Sequence, residues 1–475
     1  MRSSLRRSAR FAAVVLAVIA TAGAPPSTAA AVRFTPGAAG VGDPYFPLLG
    51  NGGYDAAHYT LDLRYQPAIH ALAGTVRMRA RATQDLSRFD LDLSGMTVRA
   101  VRVDGAAAHF SRVGQELRIV PAAGIVRGHR FVTTVRYDGS PKTIVGSPIV
   151  FGSDYGWQYT KDGAFVGDEP DAAHTWFPVN DHPADKASYT FRIAVPSNRQ
   201  VVANGELTSR STSNGETTFA WQETRPMASY MATIDIGRWV FRTGRTPHGI
   251  REVMAYDPSR ATGVRNNHVF GTTASVTDYW SRVFGAYPFT STGAIVDNVP
   301  HIGFSLETVT RPLYGFAPDP YTISHELAHE WFGDSVSVRT WRDIWLNEGF
   351  ATFASWLWAE HTTGQNTQTT ALDYYRHFGP TNRFWRQSIA DPGRNTMFSY
   401  AVYARGAMTL AALRHRIGDP DFFTLLRSWA HAHRYGHATT QQFESLAEHV
   451  SGKHLGHLFH VWLWRQAKPA SSDRP

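Results

Sequence analysis

Two histidines four residues apart, a glutamate beside the first and another glutamate further on are residue types that can hold a metal ion. They occur as P-Y-T-I-S-H-E-L-A-H-E-W-F-G from Pro320 to Gly333 and as W-L-N-E-G-F-A from Trp345 to Ala351. Pro320 suits the first position of a helix and Gly333 its stop. On such a helix His325 and His329 share one face, so both imidazoles reach one ion. Glu348 supplies a third ligand, and Glu326 stands where its carboxylate can address water at the metal. Two histidines and one glutamate leave one tetrahedral position of Zn²⁺ open, which is the catalytic arrangement. The sequence therefore predicts a single catalytic zinc ion.

The elements that position this site divide the chain in two. Alternating apolar and polar residues at Tyr59–Tyr65, Val76–Arg79 and Phe89–Leu93 predict strands with one face packed and one wet. Shorter β-like runs follow at Phe131–Tyr137, Tyr189–Val195 and Phe219–Gln222. After about Trp239 helical patterns dominate: His268–Phe284, the histidine helix, Glu348–Glu360, Tyr403–Ile417, Asp421–His431, Thr440–Val450 and Leu455–Gln466, with a strand at Ala294–Asp297. An all-β half followed by a mainly helical half is an α+β chain.

Composition narrows the function classes. The 475 residues are long enough for two or three domains, and 43% hydrophobic with 18% charged residues is a globular composition. Residues 1–31 differ: Arg2, Arg6, Arg7 and Arg10 precede an apolar run from Phe11 to about Ala22, and Ala29–Ala31 fits a cleavage signal. This predicts a signal peptide and a secreted product, with no stable membrane anchor after cleavage. Its removal takes four arginines and lowers the net charge from +8 to +4. No dense basic run remains, which argues against nucleic acid as a partner. The absence of cysteine excludes disulfides, thiol catalysis and Cys-ligated zinc. Residues 32–53 are rich in Gly and Pro and read as an exposed lead-in.

These residues resemble the aminopeptidase N family of gluzincin metallopeptidases, which includes leukotriene A4 hydrolase. The eighteen residues between His329 and Glu348 match the family's spacing. Val402-Tyr403-Ala404-Arg405-Gly406 is similar to its V-Y-E-K-G, whose tyrosine is catalytic. Ser305-Leu306-Glu307-Thr308 lies where the family has Gly-x-Met-Glu-Asn, and Glu169 opens a segment ending in Phe177–Ala187 that resembles F-P-x-x-D-x-P-x-x-K-A. The resemblance implies a saddle-like β domain over 54–239 and a thermolysin-like zinc peptidase domain over 240–475. It also implies Glu326 as general base, Tyr403 as donor to the oxyanion, and Glu307 and Glu169 as carboxylates that bind a substrate's free N-terminus. Thr308 departs from the family's Asn, Gly303 is one residue further from Glu307, and Ala404-Arg405 replaces Glu-Lys. Longer family members carry a further helical domain over the cleft, so a more open cleft is implied here.

The activity so expected is hydrolysis of the N-terminal residue of peptides. The alternatives are a thermolysin-like endopeptidase and an inactive peptide-binding relative. Tyr400 competes with Tyr403 for the oxyanion role, while Glu307 and Glu169 have surface acids as their plain alternative. His454, His457 and His460 read as one side of a C-terminal helix rather than a second metal site. Glu330 reads as an acid beside the ligands or on the helix surface.

Overall fold

The computed structural model describes residues 33–299 and 301–475. Residues 34–475 form one compact unit, and the expected signal peptide lies outside the described residues. Each predicted strand run falls in a strand, except that Leu93 lies just past the end of Leu86–Asp92 and Asp297 just past the end of Ser291–Val296.

The largest sheet has eight strands and is built around Tyr54–Gln66. Tyr59, Leu61, Leu63 and Tyr65 all point to one buried face, as the alternation requires. On one side Tyr54–Gln66 pairs antiparallel with Ala71–Ala82, and on the other it pairs parallel with Lys186–Pro196, with Tyr59 opposite Tyr189. A five-stranded sheet contains Ala164–Gly167, whose four residues are all buried and whose end delivers Asp168 and Glu169. Backbone pairing changes at Gly237–Val240: earlier strands pair among themselves, and Val240–Arg245 opens a separate five-stranded sheet. That sheet contains Ser291–Val296 and ends in the short strand Ser305–Leu306, which hands the chain to Glu307.

Helices Val269–Val283 and Pro320–His329 pack beside this sheet, and Trp345–Thr363 packs on Pro320–His329 and on Tyr400–Ile417, around the metal-binding residues. The helix Thr367–His377 has no counterpart in the sequence reading; it starts where Asn366 caps it, with Oδ1 accepting from the amides of Gln368 and Thr369. At the C-terminus the expected single helix is an α-turn over Gly456–Phe459 followed by a π-turn over His460–Trp464. Among the described residues, no helix is long and apolar enough to cross a membrane.

The lead-in is exposed along much of its length, with Phe34, Val41 and Leu48 open to solvent, but it is also anchored. Asp43, Phe46, Leu49 and Asn51 are buried. Asp43 Oδ2 accepts from His182 Nε2 at 3.1 Å and from the Trp341 amide at 2.8 Å, while its Oδ1 accepts from the amides of Tyr45 and Phe46. Gly and Pro here shape turns that lay the chain across both halves, because the buried carboxylate needs donors from each.

Candidate metal centre and active site

The helix carrying the two histidines starts at Pro320, with Asp319 Oδ1 capping the Thr322 amide at 2.8 Å. It ends at His329, four residues before Gly333, in a tight turn. Gly333 has a left-handed φ of 139°, and a Cβ there would lie 3.1 Å from His329 Nδ1. The turn brings the Phe332 carbonyl to 3.1 Å from His329 Nδ1. A carbonyl only accepts, so Nδ1 carries the proton and Nε2 presents its lone pair.

Three ligand atoms meet in front of that lone pair. His329 Nε2 is 3.2 Å from His325 Nε2, and Glu348 Oε2 is 3.3 Å from His325 Nε2 and 3.5 Å from His329 Nε2. A zinc ion with ligand distances near 2.0–2.1 Å and tetrahedral angles requires donors separated by roughly 3.3 Å. Two imidazoles and a carboxylate in a triangle of that size fit one zinc ion. Carboxylate-rich groupings lie alongside, Glu307–Glu326–His329 and Glu169–Glu307–Glu348, but neither offers two imidazoles.

Glu348 reaches the site from the first turn of Trp345–Thr363. Burial would raise its carboxyl, but the two histidines hold it down to about 2. Glu326 faces the same cavity, and burial pushes its pKa well above the usual carboxylate range, with Glu307 and Glu348 adding repulsion. Glu307 and Glu169 are both buried, and each keeps one oxygen without a protein partner. Burial raises both; Glu307 then repels charge on Glu169, and Glu348 repels charge on both. Four carboxylates in one cavity of about 230 Å³ create strong demand for cations.

The structure separates the two tyrosines. Tyr403 lines the metal cavity, and its ring stacks on His325 with centroids 6.0 Å apart. Burial, reinforced by Glu348, keeps its phenol protonated by raising its pKa well above the ordinary value. Tyr400 begins the same helix but is 53% exposed and lies outside the metal cavity. Arg405 does not place a free charge near Tyr403. It is fully buried and donates to the carbonyls of Gln387, Val461 and Arg465 at 2.9, 3.0 and 2.6 Å. Glu330 is not a helix-surface acid either: it is buried and accepts from the Thr310 amide at 2.9 Å. His457 binds Asp473 at 3.0 Å, and no metal grouping forms around it among the described residues. Phe151, Phe304 and Phe398 also wall the cavity. Phe304 sits inside the Gly303–Thr308 segment that the sequence marks, whereas nothing local marks Phe151 or Phe398, which come from loops far from the histidines.

Residues 55–231 match the Peptidase M1 N-terminal domain, and residues 320–462 match the Peptidase family M1 domain. The chain belongs to peptidase family M1. A mutant M1 zinc metallopeptidase from Deinococcus radiodurans, bound to a Tyr-Ser-Ala substrate, is similar to this M1 chain with a TM-score of 0.81 at 28% identity; the match covers 91% of this chain and 99% of that one. A two-domain M1 zinc metallopeptidase mutant bound to L-arginine gives 0.83 and 29% with the same coverage. The probable aminopeptidase 2 of Sulfurisphaera tokodaii is 24% identical over 405 residues, which is 80% of this chain and 50% of that protein. The chain spans about half the length of the curated relatives it matches. The α+β architecture and the zinc expected from the residues agree with these relatives.

Proposed function

We propose that this M1 peptidase is an aminopeptidase that removes the N-terminal residue of peptides. The observation that carries the reading is the pair Glu169 and Glu307, two buried carboxylates with unpartnered oxygens in the cavity that holds the metal triad. A substrate ammonium between them gains charge-assisted hydrogen bonds, and a blocked N-terminus leaves buried acids unpaired. The relatives bound to Tyr-Ser-Ala and to L-arginine support this, since both ligands carry an α-amine.

His325, His329 and Glu348 would hold the zinc ion, which when bound polarises a carbonyl and brings the pKa of water towards ~7. With the amine anchored, the first peptide carbonyl is aligned for attack rather than found by collision. Glu326 accepts the proton of the attacking water and returns it to the leaving amine. The Tyr403 hydroxyl donates to the carbonyl oxygen as negative charge builds on it. We also infer export of the chain, supported by the basic and then apolar run of residues 1–31; N-terminal sequencing of protein from the culture medium should start near residue 32.

A set of peptides with free and N-acetylated ends tests the activity. Free peptides should lose residues one at a time while acetylated forms stay intact. Efficient internal cleavage of an acetylated peptide would replace this reading with a thermolysin-like endopeptidase.

A further inference from the structure

The metal cavity continues past Tyr403. Phe151, Phe398 and Tyr403 line both it and a second cavity of about 1060 Å³, walled by the segment from Phe378 to Ser399 and by the start of the Tyr400–Ile417 helix. Phe151, at the junction, is a non-glycine residue with a left-handed φ of 57° and is 69% exposed.

The two cavities carry opposite charge. The first is lined by Glu169, Glu307, Glu326 and Glu348, and the second by Arg383, Arg386 and Asp391. Asp391 accepts from the Tyr45 hydroxyl at 2.5 Å, and two arginines against one carboxylate leave this cavity with one net positive charge. Among the described residues neither arginine has a carboxylate partner; Arg386 Nη2 donates only to the Thr381 carbonyl at 3.2 Å. Guanidinium forks match carboxylate geometry, and two of them lining one cavity favour an anionic ligand group. The aromatic wall, where Phe378 and Phe384 stack at 4.0 Å, suits the apolar parts of a peptide.

We propose that the second cavity receives the peptide beyond the scissile bond, and that Arg383 and Arg386 bind its free C-terminal carboxylate. This rests on the aminopeptidase reading and narrows it: the favoured substrates are short peptides with both termini free. The acidic cavity fixes the ammonium, the basic cavity fixes the carboxylate, and the chain between them is drawn over the metal in one direction. A long peptide presents no carboxylate within reach and forfeits that contact.

The experiment compares kcat/KM for Leu-Gly-Gly with that for Leu-Gly-Gly amide, using zinc-loaded enzyme, at low and at high salt. The free acid should be preferred by about tenfold, and the preference should shrink with salt because the arginines are exposed. In Arg383→Ala/Arg386→Ala the acid-to-amide ratio should fall towards one, and in the double Lys variant it should partly persist. Because each ratio is taken within one enzyme, lowered folding yield does not disturb it, and the wild-type ratio stands without any variant. Equal use of acid and amide by the wild type would overturn the proposal. So would a double Ala variant that kept the ratio, or one that altered only the choice of first residue among aminoacyl anilides. Failure of the wild type to cleave either peptide or any anilide would instead defeat the aminopeptidase reading, and the inference would fall with it.

Discussion

Gly349 and Gly406 face each other where the helices Trp345–Thr363 and Tyr400–Ile417 cross. A Cβ on Gly406 would lie 2.7 Å from the Gly349 Cα, and one on Gly349 would lie 2.8 Å from the Gly406 Cα. The first follows the ligand Glu348 and the second follows Tyr403 by three residues, so this contact sets how near the tyrosine comes to the metal site. Gly406→Ala should force the helices apart, costing about 1–3 kcal/mol as overpacking does. Zinc content should fall less than kcat, because His325 and His329 lie on neither crossing helix and Tyr403 lies on the helix that carries the new Cβ. Unchanged kcat with a lowered melting temperature would show that the contact serves packing alone.

Ligand and base should separate cleanly in metal analysis. His329→Ala removes one of three protein ligands, and zinc occupancy should collapse together with activity. Glu326→Gln keeps all three; it should retain zinc yet lose ~10²–10⁴ in kcat, the usual range for a general base. Retention of stoichiometric zinc by His329→Ala would refute the ligand assignment.

Tyr403→Phe should lower kcat by ~10²–10³ with little change in KM, since its donor acts on charge that develops during reaction. Tyr400→Phe should leave kcat for leucine p-nitroanilide within about twofold, because Tyr400 lines only the second cavity and the substitution keeps its ring there. Steady-state kinetics on the two purified variants decides between them.

Asp43 ties the N-terminal segment to His182 and to the Trp341 amide. Burial alone would raise its pKa, but the hydrogen bonds from His182 and Trp341 outweigh it and hold it below the ordinary value. Asp43→Ala leaves those donors buried without an acceptor and should cost about 3–5 kcal/mol of stability, as breaking a buried pair does. Urea denaturation measures this. A change under about 1 kcal/mol would mean that the segment adds little to stability.

His174 gives a pH signature remote from the metal. Burial works against its charge, but Asp181, 2.8 Å away, lifts its pKa from 6.5 to about 9. A folded pKa above the unfolded one means that the folded state binds the proton more tightly. The stabilisation is therefore complete below pH 6.5 and is lost as pH rises through about 9. Melting temperature should fall across that window in the wild type, and more gently in His174→Gln. Parallel curves would remove His174 as the cause.

The sequence by itself singled out His325, His329 and Glu348, which the fold brings within 3.5 Å of one another, because two of them are set by the 3.6-residue period of one short helix and the third by its resemblance to a family motif at fixed spacing. It also determined several of the longer strands, since alternation along Tyr59–Tyr65 records which face is buried, but it passed over others such as Thr97–Val103, Glu206–Ser213 and Arg251–Tyr256. Tertiary structure alone decided which distant groups meet. Asp43 and Trp341 are 298 residues apart, and no local pattern announces their bond. Arg405 and Glu330 look like surface charges in sequence, yet both are buried and hydrogen-bonded, because charge type says nothing of how many backbone partners packing will supply. Arg383 and Arg386 are ordinary exposed arginines until the fold sets them along a cavity joined to the metal site. Local periodicity is written in neighbouring residues, whereas the meeting of Glu169 with Glu307, or of Gly349 with Gly406, depends on how whole sheets and helices pack.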